Sequence, residues 1–483
     1  MPVDAFSSAV ELAAALRARR LSARELTELY LARIARHNPS LNALCTIDEA
    51  GAAHRALEAD AAISRGELWG PLHGVPMSIK DALETAGLKT TGGHPPLKDY
   101  VPARDATAVA RLRAAGAILL GKTNVPPLSA DYRADNPIFG RTNNPWDLQR
   151  TPGGSTGGGA AAVAAGLSAF DVGSDLAGSV RTPAHFCGLF ALKTTERRVP
   201  NTGHIPEPPG VPRAVRHMNV LGPLARSVAD LALVTKIIGG PDDVEWDVPP
   251  VPWRESPERA LAAHRFAWSA RFGDVPVSRD TAVAIQKLAV ELARLGCAVD
   301  ERNPDGFSFD DAWETWGEIA IAERAATGAE RSRERVAALN ATLGERWAVA
   351  RGSAKGAHAT IGDYAAALTR RDGLITALER FFERCDAFIC PVSVGPAIGH
   401  VPFGTPINVD GTPVPYFIAG TAYTCPFNLT GHPAVVLPLT RSRDGLPIGV
   451  QLVGKRWSEP ELLALAEKLA LLTGPFTPPP GYP

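Results

Sequence analysis

Thr151-Pro-Gly-Gly-Ser-Thr-Gly-Gly-Gly-Ala160 and, past a short apolar run, Val172-Gly-Ser-Asp-Leu-Ala-Gly-Ser-Val-Arg-Thr-Pro183 are the stretches on which the reading of this chain turns. No packed core needs so much glycine and serine, so something must approach this backbone closely. Glycine has no Cβ and reaches positive φ cheaply, and paired glycines beside serines therefore build loops that aim several N–H groups at one point. An anion or a developing oxyanion is held in that way. A flexible linker is the competing reading, but the apolar run from Ala160 to Leu167 interrupts the glycines, which return at Gly173 and Gly178.

Around this signature lies a chain of 483 residues, 45% of them hydrophobic, long enough on length alone for two or three domains. Its 50 basic and 51 acidic residues nearly cancel, which removes the electrostatic footprint of a nucleic-acid or anionic-membrane partner. The N-terminus lacks the basic and apolar regions of a signal peptide, and no run of about eighteen apolar residues is present. A soluble, cytoplasmic protein is expected. Cys45, Cys187, Cys297, Cys385, Cys390 and Cys425 form no Cys-x-x-Cys pair and read as reduced core residues. No two histidines stand at helical i, i+4 spacing, so no metal ligand set is visible and neither a metal nor a cofactor is called for.

Taken in order, Ser22-Ala-Arg-Glu25 is a capping box in front of Leu26, Leu29, Tyr30 and Ile34, with another helix before it and Asn38-Pro39 expected to end the pattern. Ala43 to Ile47 reads as a strand and Glu49 to Arg65 as a helix closed by Gly66, so the alternation of an α/β fold begins early. Gly74-Val-Pro-Met-Ser-Ile-Lys80-Asp81 reads as a buried strand ending in a lysine, one of only ten lysines in an arginine-rich chain. An apolar setting depresses a lysine's pKa, and only the neutral amine acts as a base. A lysine that snorkels to solvent from a strand end fits the same residues.

Gly116-Ala-Ile-Leu-Leu-Gly121-Lys122-Thr123 matches the P-loop pattern in letters only. A phosphate cradle needs a flexible loop and then a helix, whereas these intervening residues are strand-like and Pro126-Pro127 interrupts the next segment. Ser227 to Ile238 reads as a helix ended by Gly239-Gly-Pro241. From Trp253 to about Tyr416 the chain turns helical, at Asp280 to Leu295, Phe309 to Ala325 and Ile361 to Arg384, with short strands between. Ala387 to Val392, Val435 to Leu439 and Gly449 to Val453 read as strands returning to the sheet, and Glu459 to Leu472 as the closing helix.

Gly74 to Asp81, Gly121-Lys-Thr-Asn124, the Pro152 to Pro183 signature, and Pro426-Phe-Asn-Leu-Thr-Gly-His-Pro433 with Gly445-Leu-Pro-Ile-Gly-Val-Gln-Leu-Val453 together resemble the amidase signature family of serine hydrolases, in its order. The resemblance implies one α/β/α domain over residues 1–483, with a large, mostly parallel mixed central sheet flanked by helices. The helical stretch at about 253–416 would be its variable part, packed on the same sheet. It also implies Lys80 as general base, Ser155 as a serine held by a cis peptide bond, and Ser179 as nucleophile. Physical logic agrees, since a serine hydroxyl is a poor nucleophile until a neighbouring base takes its proton. His185, which follows Pro183, reads as packing or pocket lining.

By the same resemblance the backbone N–H groups of Leu176, Ala177, Gly178 and Ser179 form the oxyanion hole. Asp175 and Arg181 form a buried pair bracing the loop. Thr156 stands where the family carries a second serine, and keeps a hydroxyl able to hydrogen-bond. Ala177 replaces a family glycine, and an unstrained φ is expected there. A Gly-x-Ser-x-Gly hydrolase is excluded at Ser179, because Arg181 occupies the last glycine position, and no Ser-x-x-Lys motif is present.

The expected function is hydrolysis of neutral, hydrophobic aryl or alkyl amides, using only amide and water, with esters and carbamates as side substrates. Leu128 to Arg133, Tyr416-Phe417 and Tyr423 to Phe427 are the candidate apolar walls. Two alternatives stand beside it: a partner-dependent glutaminase subunit of a tRNA-linked amidotransferase, and a non-catalytic scaffold of the same fold. Lys80, Ser155 and Ser179 are all intact, which argues against the scaffold. A monomer or homodimer is expected.

Overall fold

In the computed structural model, which describes residues 3–205, 209–344 and 346–482, helices α1 (Ala9–Arg17) and α2 (Ala23–Leu41) each start on a capping box, Ser8 with Glu11 and Ser22 with Glu25. The serine hydroxyl takes the N3 amide and the glutamate reaches back to the cap amide, which satisfies two otherwise orphan donors. α2 does not stop at Asn38-Pro39 but runs through Pro39 to Leu41. The amide that Pro39 lacks is lost only in the last turn, which is anchored by the fully buried Leu41 and by Asn38, whose side chain bonds the backbone of Ala43 and Leu44. α3 (Glu49–Ser64) comes next, with Gly66 just beyond it at φ 81°. The remaining helices before residue 253 are α4 (Thr107–Ala114), α5 (Gly157–Ala164), α6 (Arg181–Cys187) and α7 (Val228–Ile238).

Eleven strands form one sheet. They are β1 (Leu44–Ile47), β2 (Pro76–Lys80), β3 (Ile118–Thr123), β4 (Asp171–Asp175), β5 (Phe190–Lys193), β6 (Val220–Ala225), β7 (Arg265–Trp268), β8 (Ala298–Glu301), β9 (Ala387–Pro391), β10 (Ala434–Arg441) and β11 (Pro447–Val453). Their spatial order is β1-β3-β2-β4-β6-β5-β10-β11-β9-β7-β8. The sheet is mixed, as expected, but not mostly parallel. Parallel pairing is confined to β3-β2-β4 and β9-β7-β8, and the strands between these blocks are antiparallel. The reason is connectivity: parallel neighbours need long crossovers, whereas β10 and β11 are joined by the tight turn around Asp444-Gly445, which makes a hairpin.

The stretch from Trp253 to Tyr416 is helical as expected, carrying α8 (Arg279–Arg294), α9 (Phe309–Leu343), α10 (Ala348–Gly356) and α11 (Ile361–Phe381). α9 continues past Ala325, with a non-helical residue at Gly328. The same stretch also supplies β7, β8 and β9, which extend the sheet at one edge. Short helices α12 (Tyr416–Thr421) and α13 (Cys425–Leu429) and the closing α14 (Glu459–Thr473) complete the chain.

The two largest apolar clusters among the described residues pack against this sheet. Leu26 and Ile34 of α2, Leu112 of α4, Leu231 of α7 and Leu465 of α14 pack with Ile79, Leu192 and Val450 of the strands. Phe272, Trp313, Phe381, Phe388 and Phe427 form the second, beneath α9 and α11. α5 is apolar all round and wholly buried, which suits a helix enclosed on every side.

Candidate active site

Lys80 is the last residue of β2, a strand buried along its whole length between β3 and β4. Strand alternation in a fully covered sheet leaves its side chain no path to water, and it is 0% exposed. Snorkelling is thereby excluded. Its Nζ lies 2.6 Å from Ser155 Oγ, 2.9 Å from Ser174 Oγ and 3.4 Å from the Ser174 carbonyl oxygen. Burial pushes the Lys80 pKa down to about 7, against the opposing pull of Asp175 and Asp171. Both protonation states are therefore accessible near neutrality.

Ser155 comes to this lysine from the loop before α5, and the Gly154–Ser155 peptide bond is cis. The glycines just after it are there for proximity: a Cβ on Gly158 would stand 2.3 Å from the Asn124 amide nitrogen, and one on Gly159 2.4 Å from Asp171 Oδ1. The loop carrying Ser179 is tied to the loop carrying Ser155 by the Thr156 amide, which donates to the Ser179 carbonyl at 3.0 Å. The Ser179 hydroxyl makes no hydrogen bond among the described residues. Lys80 and Ser155 are thus hydrogen-bonded to each other, whereas the Ser155 and Ser179 hydroxyls make no hydrogen bond to one another.

Thr156 departs from expectation. Its hydroxyl is buried without a partner among the described residues, and its side chain lies flat on Gly173, where a Cβ would stand 2.3 Å from Oγ1 and 2.4 Å from Cγ2. The branched side chain is used to fill space, and only the Thr156 amide bonds the neighbouring loop.

Asp175 and Arg181 are both wholly buried and form a two-point ion pair, Arg181 Nε to Oδ2 at 3.0 Å and Nη2 to Oδ1 at 2.9 Å. The remaining guanidinium donors reach the Thr424 carbonyl, Gln451 Oε1 and Asn428 Oδ1, so all five are used. Burial alone would raise the Asp175 pKa, but the Arg181 charge and hydrogen bonds outweigh it and hold the carboxyl well below the usual range. This carboxylate also accepts the amides of Gly178 at 2.8 Å and Val180 at 3.1 Å. The Gly178 N–H therefore belongs to the loop's own brace, which corrects its assignment to the oxyanion hole. The amides of Leu176, Ala177 and Ser179 make no hydrogen bond among the described residues, and these three residues line a cavity that Gly178 does not. Gly178 has φ 111°, while Ala177 has no positive φ, as expected.

That cavity is walled by Tyr132, Trp316, Phe403, Tyr416 and Phe417. Asp131 and Arg324 are its charged members. Asp131 is held by Arg133 at 2.7 Å and by the Tyr416 hydroxyl at 2.6 Å. Of the walls foreseen from sequence, Ser129 to Tyr132, Tyr416 and Phe417 are present. Tyr423 and Phe427 belong instead to the core around Phe272, where the Tyr423 hydroxyl donates to the Val275 carbonyl.

The P-loop letters form β3, and Lys122 is buried, donating to the Leu83 carbonyl and to Thr85 and Thr90 hydroxyls. His185 is a packing residue: Gly449 N–H donates to its Nδ1 at 2.7 Å, which leaves Nε2 to donate to the Gly395 carbonyl at 3.0 Å. Burial moves its pKa down to about 4. All six cysteines are free, and Cys45 is half-buried where the other five are buried.

Residues that the sequence reading passed over are Ser174, Asp171 and Trp316. Ser174 sits inside the quoted signature and contacts Lys80 directly. Asp171, whose Oδ2 accepts from Ser78 and Thr123, has its pKa raised to about 7 by burial. Trp316 lies on α9 and donates from Nε1 to the Leu176 carbonyl at 3.1 Å, a contact across 140 positions that no local pattern announces.

A family model described as Amidase matches residues 25–463. The chain is 33% identical over 473 residues to the A subunit of the glutamyl-tRNA(Gln) amidotransferase of Roseiflexus castenholzii, covering 94% of this chain and 93% of that protein. It is 34% identical over 459 residues to the indoleacetamide hydrolase of Bradyrhizobium diazoefficiens, covering 94% and 84%. The solved structure of a 6-aminohexanoate cyclic dimer hydrolase complexed with substrate matches with a TM-score of 0.80 at 29% identity, covering 99% and 100%.

Proposed function

The chain belongs to the amidase family, and from that premise we propose that residues 1–483 act as one amide-hydrolysing unit that cleaves neutral, hydrophobic aryl or alkyl amides through an acyl-enzyme on Ser179. The observation that carries the reading is the aromatic cavity lined by Ser179, whose lining carboxylate, Asp131, is already paired with Arg133. An apolar acyl group gains burial there without having to supply a counter-ion.

In the proposed reaction neutral Lys80 takes the Ser155 proton as Ser155 takes that of Ser179, and Ser179 Oγ adds to the amide carbonyl. The oxyanion falls to the amides of Leu176, Ala177 and Ser179, and losing one such donor typically costs about 3 kcal/mol of barrier. Ser155 returns a proton to the leaving amine, and water then releases the acid through the same groups in reverse. Esters and carbamates enter by the same route, since a better leaving group only eases the first step.

The partner-dependent glutaminase reading is kept because the relatives include an amidotransferase component at nearly the same identity as a hydrolase. The isolated chain assayed on p-nitroanilides, primary aryl amides, a carbamate and glutamine separates the two. Turnover of aryl amides with a serine-directed probe found on Ser179 supports the proposal. Turnover of glutamine alone, or only with a partner added, overturns it.

A further inference from the structure

Every backbone carbonyl from Asp175 to Ser179 has a donor on it. Asn428 Nδ2 donates to the Asp175 carbonyl at 2.9 Å, Trp316 Nε1 to that of Leu176 at 3.1 Å, and Thr424 Oγ1 to that of Ala177 at 2.6 Å. The Thr182 amide donates to the Gly178 carbonyl at 2.7 Å, and the Thr156 amide to that of Ser179 at 3.0 Å. The amides of Leu176, Ala177 and Ser179, by contrast, make no hydrogen bond among the described residues. In a planar trans peptide the C=O of one residue and the N–H of the next point in opposite directions, so a donor on a carbonyl also aims the amide that follows it. The loop is gripped by its carbonyls, and these three N–H groups are left unspent.

The shortest of these contacts is that of Thr424, a wholly buried residue in the turn between α12 and α13. Two oxygens 2.6 Å apart need a hydrogen between them, and a carbonyl has none to give, so the Thr424 proton lies on this line. The Thr421 carbonyl, 3.1 Å from the same hydroxyl, already takes the Thr424 amide at 3.0 Å. So close an approach depends on Gly178, where a Cβ would stand 2.5 Å from Thr424 Oγ1. The peptide joining Ala177 to Gly178 is thus pinned at both ends, its oxygen by Thr424 and its N–H by Asp175 Oδ1 at 2.8 Å.

This peptide is the spacer between the Ala177 and Ser179 amides. Turning it about its Cα–Cα line changes ψ of Ala177 and φ of Gly178, and a glycine at φ 111° offers that rotation little steric resistance. The two hydrogen bonds have to supply the resistance. We propose that Thr424 is a positioning residue for the oxyanion hole: its hydroxyl locks the Ala177–Gly178 peptide and so keeps the Ala177 and Ser179 N–H groups in the relative orientation that an oxyanion needs. The inference rests on the reading of those amides as oxyanion donors beside a nucleophilic Ser179. Thr424 is not among the residues lining the cavity, so it acts through the loop. The Asp175 pin also holds Arg181, whereas the Thr424 hydroxyl can be removed alone.

The test uses the full chain, an amide it turns over, and two inhibitors built on the acyl portion of that amide. A trifluoromethyl ketone adds to the serine and then carries an oxyanion; the matching alcohol fills the same cavity and carries none. Thr424→Val, which keeps the branched shape and removes the donor, is expected to lower kcat about tenfold with KM unchanged. It should weaken the ketone by the same factor and leave the affinity of the alcohol as in the wild type. Thr424→Ser, which restores the hydroxyl, should recover most of the rate and of the ketone affinity. If Thr424→Val does not fold, Thr424→Cys takes its place, and its weaker donor should give smaller losses of the same pattern. A wild-type rate in the variant lacking the hydroxyl, equal weakening of ketone and alcohol, or a Thr424→Ser enzyme no better than Thr424→Val would each overturn the inference. Ser179→Ala separates the premise: if it still hydrolyses the amide the nucleophile assignment fails, whereas an unperturbed Thr424→Val beside an essential Ser179 defeats only this proposal.

Discussion

The Gly178 amide donates to Asp175 Oδ1 at 2.8 Å, so the loop that carries Ser179 is braced from within by the same carboxylate that pairs with Arg181. The backbone next to Ser179 is fixed by a buried charge, while the amides of Leu176, Ala177 and Ser179, three residues that line one cavity, make no hydrogen bond among the described residues.

Asp175→Asn should therefore damage fold and activity together. It strands the Arg181 guanidinium without a counter-charge at a fully buried site, and breaking such a pair from one side costs about 3–5 kcal/mol. Urea unfolding should show the loss directly. Because the native Asp175 pKa is depressed, its contribution is full above the ordinary carboxylate pKa near 4 and is lost only as pH falls toward the depressed value. Stability of the wild type should accordingly show no loss from this group between about pH 5 and 8. A well-folded Asp175→Asn enzyme of normal rate would contradict the brace.

Activity should rise with pH through about 7 and level off above it. In the proposed reaction Lys80 works as the neutral amine, and burial has brought its pKa from 10.5 down to about 7, so the neutral fraction grows across that window rather than near the ordinary lysine value. Lys80→Arg should be nearly inactive at every pH, since guanidinium keeps its proton. The kcat profile of the wild type and the rate of the variant check both points. A wild-type limb near 10 would mean that burial does not set the base.

Thr156→Val should leave the rate within about twofold and should hold or slightly raise stability, because the hydroxyl it removes is buried without a partner among the described residues. Thermal melts and kcat/KM decide this. A loss of tenfold or more would show that the hydroxyl is used during turnover.

What the sequence made legible was local or repetitive. The glycines at 157–159 and 178 announce close approach, Lys80 ends an apolar strand, and the capping box at Ser22 marks a helix start, each readable from neighbouring residues. The orientation of the central strands was not legible, because strand direction depends on which distant strand lies beside each one. Only the Asp444-Gly445 turn between β10 and β11 carried a local hint of antiparallel pairing. The role of the Gly178 amide was hidden for a similar reason. Its partner is three residues away, but the direction of an N–H depends on a φ of 111° that residue letters do not report. Tyr423 and Tyr416 look alike in sequence, and the fold alone sends one into the Phe272 core and the other to the cavity.

Trp316 should control substrate choice and loop position through two separable parts of its side chain. The ring packs beside Phe417, with centroids 5.8 Å apart, in the cavity wall, and Nε1 donates to the Leu176 carbonyl at 3.1 Å. Removing the ring removes apolar surface that a bulky acyl group would cover, worth about 1.5–3 kcal/mol when fully buried. Trp316→Ala should thus lower kcat/KM for an aryl amide by roughly ten- to a hundredfold, mostly through KM, and should affect a small aliphatic amide much less. Trp316→Phe keeps the packing and deletes only the hydrogen bond to Leu176. If that bond positions the loop, Trp316→Phe should lower kcat for large and small amides by the same factor, with KM unmoved, because a shifted Leu176 amide weakens the transition state of either substrate. Steady-state kinetics of both variants on both substrates gives four numbers. Equal losses for the two substrates in Trp316→Ala would show that the ring is not part of the acyl wall, and the hydrophobic-amide reading of this cavity would fall with it.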